Sequence, residues 1–308
     1  MSVHVLGEAL IDLVPMGEGH KGLPGGSPYN VAIGTARLGT KTSFIGRLSQ
    51  DPNGELLMHQ LANNRVDLQH LQTGPEPCPL AYVFAPTEGS DEVRYSFYMQ
   101  GTAEDALDQA KIDAVDGIEH LHIGSFSVVR GPSSEIVRKL AARVKGTGTV
   151  SYDVNARPSI TPDPYQVEPL VEVALRAADI VKISDADGEW LYPGKSADDL
   201  AAQFMALGAS IVLYTQGGDG AWCYCSAGNF HVPAQAPNGI VDFVGAGDSF
   251  MAATINGLDR EGMLGHPERL AVIELDTLRK IANRAARAAG MTVGRAGANP
   301  PTADDLDD

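Results

Sequence analysis

Basic residues are scarce in this chain: Lys and Arg number 23 against 39 Asp and Glu, a net charge of −16 over 308 residues. Nucleic acids and anionic membranes are bound by basic surfaces that release counterions, so the deficit argues against both as partners. An anionic ligand must instead be held by backbone amides, a metal ion or a few local cations. Cysteine is nearly absent as well. Cys78, Cys223 and Cys225 are odd in number and match neither a zinc-site spacing nor a disulfide framework, which leaves buried or incidental thiols. No uninterrupted apolar run is long enough to span a bilayer, and the opening MSVHVLGEAL lacks the basic start of a secretory leader, so a cytoplasmic protein is expected. Hydrophobic residues at 44% and charged ones at 20% leave room for a large core.

Apolar runs alternate with helical patterns along the chain, the signature of a mostly parallel sheet covered by helices. Strands are predicted at VHVL from Val3, HLHIG from His120, TVSYDV from Thr149, DIVKIS from Asp179 and SIVLYT from Ser210. The first helix is predicted from Pro28 to about Leu38, capped by Ser27 and stopped by Gly39. The run from Glu268 to Gly290 reads as one or two helices, and acidic residues 303–308 as a disordered tail. Two extended pieces, at about 12–24 and 78–103, break the alternation, the second as a hairpin around Glu88-Gly89-Ser90. They are predicted to form a small antiparallel sheet whose exposed edge needs cover from a ligand or a second subunit.

The stretch VDFVGAGDSF, from Val241 to Phe250, sets small residues between an apolar segment and a helix. Glycine permits close main-chain approach, so Gly245, Ala246 and Gly247 can aim several N–H groups at one anion. Fixed donors of this kind stabilise charge developing on a transferring phosphoryl group. Asp248, at the rim, is kept ionised by the helix dipole and can orient a hydroxyl and accept its proton. A capped helix after a tight turn would give the same four letters.

With its neighbours, VDFVGAGDSFMAA resembles the second signature of the ribokinase (PfkB) family of carbohydrate kinases, and GGSPYNVAIGTARLG from Gly25 resembles the first. Further similarity lies in GEALIDLVP at Gly7, YSFYMQGTAE at Tyr95, DVNARPSI at Asp153, KISDADGEWLYPG at Lys182 and TQGGDGAW at Thr215, most like the fructokinase branch. The resemblance implies one α/β domain over 1–308, a ribokinase-like three-layer α/β/α sandwich with a mostly parallel sheet and a small β-sheet lid. It also implies ATP and Mg²⁺ as co-substrates. Asp248 falls on the family's catalytic base, and Gly245, Ala246 and Gly247 on its anion hole.

For the sugar, the resemblance implies Asp12, Gly25, Gly26, Asn30, Tyr98 and Arg157; hydroxyl groups need both donors and acceptors, and Asn30 offers both. For the nucleotide it implies Asn155, Lys182, Thr215, Gly217, Gly218 and Gly220, with Asn283 near the adenine; surface ion pairing is the alternative for Lys182. Asp187 is expected to orient Mg²⁺ indirectly, although Ser184 stands where the family's motif has an amide. Asp242 matches a monovalent-cation site, and Phe243, where a small or β-branched residue is usual, leaves K⁺ open. The expected reaction is transfer of the γ-phosphoryl group to a hexose hydroxyl, fructose first, in a homodimer joined through the lid. The rivals are a 2-keto-3-deoxygluconate kinase, a nucleoside kinase, and a silent sugar- or nucleotide-binding protein on the same scaffold.

Overall fold

Alternation with period two, buried on both sides, is what the central strands show: Val3, Val5, Ile211 and Leu213 face one apolar cluster while Leu6, Val181, Ile183 and Val212 face another. A computed structural model describes residues 2–84, 94–235 and 239–307. The strands are β1 (Val3–Leu6), β2 (Leu10–Met16), β3 (Gly19–Gly25), β4 (Thr42–Ser49), β5 (Leu71–Gly74), β6 (Leu80–Phe84), β7 (Arg94–Tyr98), β8 (His120–Gly124), β9 (Thr149–Asp153), β10 (Ile180–Ser184), β11 (Ile211–Thr215), β12 (Ala221–Cys225) and β13 (Gly228–Val232). Nine of them form one sheet in the order β13-β12-β11-β10-β9-β8-β1-β4-β5. Pairing is parallel from β11 through to β5, and antiparallel only where β12 and β13 close one edge.

Helices cover both faces. Ser27–Arg37, Ala246–Arg260 and Leu275–Val293 bury Val31, Phe250 and Leu278 against one face, and Ser133–Val144, Pro164–Ala177 and Ala197–Leu207 bury Val137, Val171 and Leu200 against the other. The fold is thus the expected three-layer sandwich. Four strands, β3-β2-β6-β7, make a separate small sheet from the two extended segments. The turn anticipated at Glu88-Gly89-Ser90 lies outside the described residues.

The first helix is capped by Gly26 rather than Ser27, because the Ser27 side chain is turned to a partner across the site. The long C-terminal run splits into Pro267–Leu270 and Leu275–Val293 and passes through Gly290 to end at Val293. Residues Ala303–Asp307, expected to be disordered, form a short helix: Leu306 is buried against the core and Asp305 pairs with Arg295 at 3.1 Å. The cysteines are three buried free thiols. No helix among the described residues is long and apolar enough to cross a membrane.

Candidate active site

Two short hydrogen bonds fix the acid in the first turn of Ala246–Arg260. Asp248 Oδ1 accepts from the Ser27 hydroxyl at 2.7 Å and Oδ2 from Asn30 Nδ2 at 2.8 Å. Both donors stand in the first turn of Ser27–Arg37, so two helix N-termini meet at one carboxylate. Asp248 is only 8% exposed, yet it lines a cavity of about 560 Å³ at the carboxyl ends of the parallel strands, where ligands of such sheets bind.

The turn into the helix depends on Gly245, which sits at φ 79° and ψ 2°. A Cβ there would stand 2.7 Å from the Ala298 methyl, so both conformation and space demand glycine. The Ala246 amide closes the turn on Phe243 O at 3.3 Å, and the first helical bond runs from Ser249 N to Gly245 O. That leaves the amides of Gly247 and Asp248 as the orphan donors of the helix start. Ala246, expected to donate to an anion, is thereby corrected to a structural part of the turn.

A second cavity, of about 200 Å³, lies between Thr215, Gly217, Gly218 and Gly220 on one side and Ala286 and Gly290 on the other. Gly247 and Phe243 line both cavities, so the two meet at the catalytic helix start. Asn283 does not reach this groove: it is exposed, and its side-chain amide donates to Arg279 O at 2.9 Å. Ala286 and Gly290, on the inward face of the same helix, line the groove instead.

Asp12 projects from β2 into the larger cavity, opposite β3. A Cβ on Gly25 would lie 2.2 Å from Asp12 Oδ2, so the bare backbone of Gly25 makes room for this carboxylate. Since the obstacle is the end of a side chain, Gly25→Ala is expected to displace Asp12 rather than unfold the sheet. The KM of the ligand that Asp12 holds should rise roughly tenfold, the loss of about one charged hydrogen bond, with Tm changed by less than ~2 °C. Steady-state kinetics and a thermal melt check this.

Burial pushes the Asp12 carboxyl up to about 7; Arg157 opposes the shift, and Asp248 and Asp242 add to it. The folded protein therefore holds this proton more tightly than the unfolded chain, whose carboxyl titrates near 3.8. The stabilising contribution is complete below 3.8 and lost as pH rises through about 7. Asp12→Asn should then melt with the wild type at pH 3.5 and above it at pH 8. A gain of about 1–2 kcal/mol, or ~2–4 °C, is expected after allowing for solvent access. Melting curves at the two pH values check it.

Lys182 is not a surface cation and does not line the narrower groove. It is 4% exposed and donates to both carboxylate oxygens of Asp153, at 3.0 and 2.8 Å, with Asp153 fully buried. Burial disfavours its charge, but the Asp153 carboxylate outweighs this and holds Lys182 above its ordinary value. Its Nζ lies 3.2 Å from where a Gly247 side chain would begin, directly beneath the helix start.

Asn155, expected at the nucleotide, lines the larger cavity with Arg157. One Arg157 nitrogen donates to Asn155 Oδ1 at 2.6 Å and to Ala156 O at 2.9 Å, which folds the loop back on itself. Asp187, expected to orient Mg²⁺, braces this loop and caps its own helix. Its Oδ1 accepts from Ala156 N at 2.8 Å, its Oδ2 from Ser184 N at 3.1 Å, and it lines neither cavity. Ser184 completes the capping box, so the serine that departs from the family motif serves the helix start. Asp242 lines the larger cavity and ties the preceding loop together, accepting from Val244 N at 3.0 Å and Gly297 N at 2.9 Å.

Tyr98 is misplaced by one position. Asp12 pairs with Ala81, and Ala81 with Phe97, so the cavity face of the small sheet carries Asp12, Phe97 and Tyr95. Tyr98 lies on the opposite face, 59% exposed and edge-on to Tyr82. Glu8 and Ser125, which carry no motif in the sequence, are both buried and both line the larger cavity.

The model of the pfkB family carbohydrate kinases matches residues 2–305. A fructokinase of Rhizobium leguminosarum bv. trifolii is 34% identical over 265 residues, 84% of this chain and 80% of its own length. One of Klebsiella pneumoniae is 32% identical over 280 residues, 89% of each. Among solved structures, a Vibrio cholerae fructokinase double mutant in fructose-, ADP- and potassium-bound form is 27% identical at a TM-score of 0.83, covering 96% of this chain and 93% of that one. The ATP-bound fructokinase of Xylella fastidiosa, at 23% identity, shares the fold with a TM-score of 0.88 over 99% and 96% of the two chains. Matched over nearly its whole length, with two signature glycines and an acid placed where two cavities join, the chain belongs to the pfkB family of carbohydrate kinases.

Proposed function

We propose that the protein is an ATP-dependent sugar kinase that transfers the γ-phosphoryl group of ATP to a hexose hydroxyl, converting fructose to fructose 6-phosphate. The observation that carries this is the junction at Gly247, where a narrow groove of small residues opens onto a polar cavity beside Asp248. The flat walls of Ala221, Ala286, Gly290 and Val293 suit a nucleotide base, and its phosphates would run towards the helix start. Asp248 then orients the attacking hydroxyl and receives its proton late, while the Gly247 and Asp248 amides stabilise the charge on the moving group.

Cavity charge favours a neutral sugar over 2-keto-3-deoxygluconate. Glu8, Asp12, Asp242 and Asp248 line it, against Arg157 and a Lys182 already paired with Asp153. A carboxylated substrate would enter a field of its own sign. Among the described residues no cluster of three or more His, Cys, Asp or Glu is arranged to hold a metal ion. Mg²⁺ is assigned to the phosphates of ATP, whose charge it would neutralise. Asp242, beside the glycine turn, is the candidate contact for K⁺. The fructose-, ADP- and potassium-bound relative supports this sugar, nucleotide and cation together.

The outer face of the small sheet carries Tyr98, Tyr82 and His20 in edge-to-face contact, with Phe84 45% exposed. This face is assigned to a homodimer in a cytoplasmic enzyme. ADP release measured with fructose, 2-keto-3-deoxygluconate, ribose and a nucleoside tests the function. Mg²⁺-dependent turnover fastest with fructose is expected; no turnover on any of them would leave only a binding protein.

A further inference from the structure

Burial of a polar group is tolerated when it is hydrogen-bonded, and each exception asks for a cause. Two exceptions stand in the floor of the sugar cavity. Glu8 follows β1 and is 1% exposed; its Oε1 accepts from Ser27 N at 3.2 Å, but its Oε2 has no partner. Ser125, the first residue beyond β8, is 2% exposed, and its hydroxyl stands near the Glu8 carboxyl without forming a hydrogen bond of normal geometry. Both residues line the cavity that holds Asp12 and Asp248.

Ser125 further adopts φ 57°, a conformation that non-glycine residues rarely occupy. Strain of this kind persists where the surroundings impose it, often at ligand sites. An unpartnered buried oxygen is likewise unfavourable. A ligand hydroxyl reaching both atoms would donate to Glu8 Oε2 and accept from Ser125, relieving both at once.

We infer that Glu8 and Ser125 form a second hydroxyl-reading pair in the floor of the sugar cavity, a specificity-determining contact for a neutral polyhydroxylated sugar. The assignment rests on the sugar-kinase reading and adds to it which residues, besides Asp12, select the sugar. Burial also pushes the Glu8 carboxyl up to about 7, partly opposed by its own backbone amide, the Ser125 and Ser127 hydroxyls and Arg157. In its neutral form Glu8 would donate to a sugar oxygen instead, so the pair retains a hydrogen bond on either side of neutrality. Meanwhile Glu8 Oε1 holds the Ser27 amide, and the Ser27 hydroxyl holds Asp248, which links the floor of the cavity to the base.

The test uses the full-length enzyme, wild type and the variants Glu8→Gln, Ser125→Ala and Ser125→Gly, with fructose and its monodeoxy analogues. Ser125→Gly is informative because glycine accepts φ 57° freely, so it removes the hydroxyl without destabilising the turn. Expected for each variant is a sugar KM raised about tenfold, with kcat and ATP KM within roughly twofold. One monodeoxy analogue, lacking the hydroxyl that the pair reads, should lose nothing further in the variants. Unchanged KM, or equal losses across every analogue, would overturn the pair, and so would KM losses that track a fall in Tm. If the wild type turns over no sugar at all, the kinase reading fails first and the pair with it.

Discussion

Asp248→Asn is expected to lower kcat by about two to four powers of ten, the scale of losing an acid–base group, while leaving ATP binding intact. The amide matches the carboxylate in size and keeps an oxygen for one of the two donors that now converge on it, Ser27 Oγ and Asn30 Nδ2. Its nitrogen must face the other, and either the Ser27 hydroxyl or the Asn30 amide can turn to accept it. The fold is therefore expected to lose no more than about 1 kcal/mol. What disappears is the acceptor for the attacking hydroxyl's proton. The remaining catalysis comes from position and from the Gly247 and Asp248 amides, which the substitution leaves in place. The measurement pairs single-turnover kinetics with the rise in Tm that ATP produces, which reports nucleotide binding independently of chemistry. Equal loss of turnover and of the ATP-induced Tm shift would show that Asp248 builds the groove rather than serving the reaction. A variant with near wild-type kcat would remove Asp248 from the mechanism altogether.

The large sheet was legible because its strands are apolar runs buried on both faces, which local composition registers without tertiary knowledge. Asp248 and its glycines were legible for a similar reason: φ 79° at Gly245 and a helix start are local demands, written in neighbouring residues. Roles set by parity or partnership were harder. Tyr98 and Phe97 are adjacent aromatics in one strand, and only the pairing of Ala81 with both Asp12 and Phe97 decides which faces the cavity. Anchoring the alternation of β7 on Asp12 would have favoured Tyr95 and Phe97. Ser27 reads as a helix cap until Asp248, 221 residues away, claims its hydroxyl. Asp187 reads as a metal-site acid because nothing local reveals that Ala156 N, from another loop, already occupies it. Glu8 left no signal beyond an acid directly after an apolar strand, and its burial is a tertiary fact.

Lys182, expected at the nucleotide, is buried against Asp153 instead, and that pairing ties it to the stability of the core. Lys182→Met is expected to destabilise the protein by about 3–5 kcal/mol, since it leaves the Asp153 carboxylate buried and unpaired. Asp153 already has its carboxyl raised to about 6 by burial, with Lys182 opposing the shift; without the lysine it must rise further. A raised carboxyl contributes stability at low pH that is lost as pH climbs through its folded value, so the defect should be smaller at pH 5 than at pH 8. The double variant Lys182→Met with Asp153→Asn removes both charges and should recover most of the lost stability. Its kinetics then separate two roles. A cation beneath a helix N-terminus opposes the dipole, an arrangement that becomes favourable only when an anion arrives above it. If Lys182 meets that anion through the gap beside Gly247, the refolded double variant should still lose kcat by about ten- to a hundredfold, because one charged interaction with the moving phosphoryl group is gone. If the pair merely props the turn, kcat should return with Tm, and the positive charge that serves the phosphate must then come from Arg157.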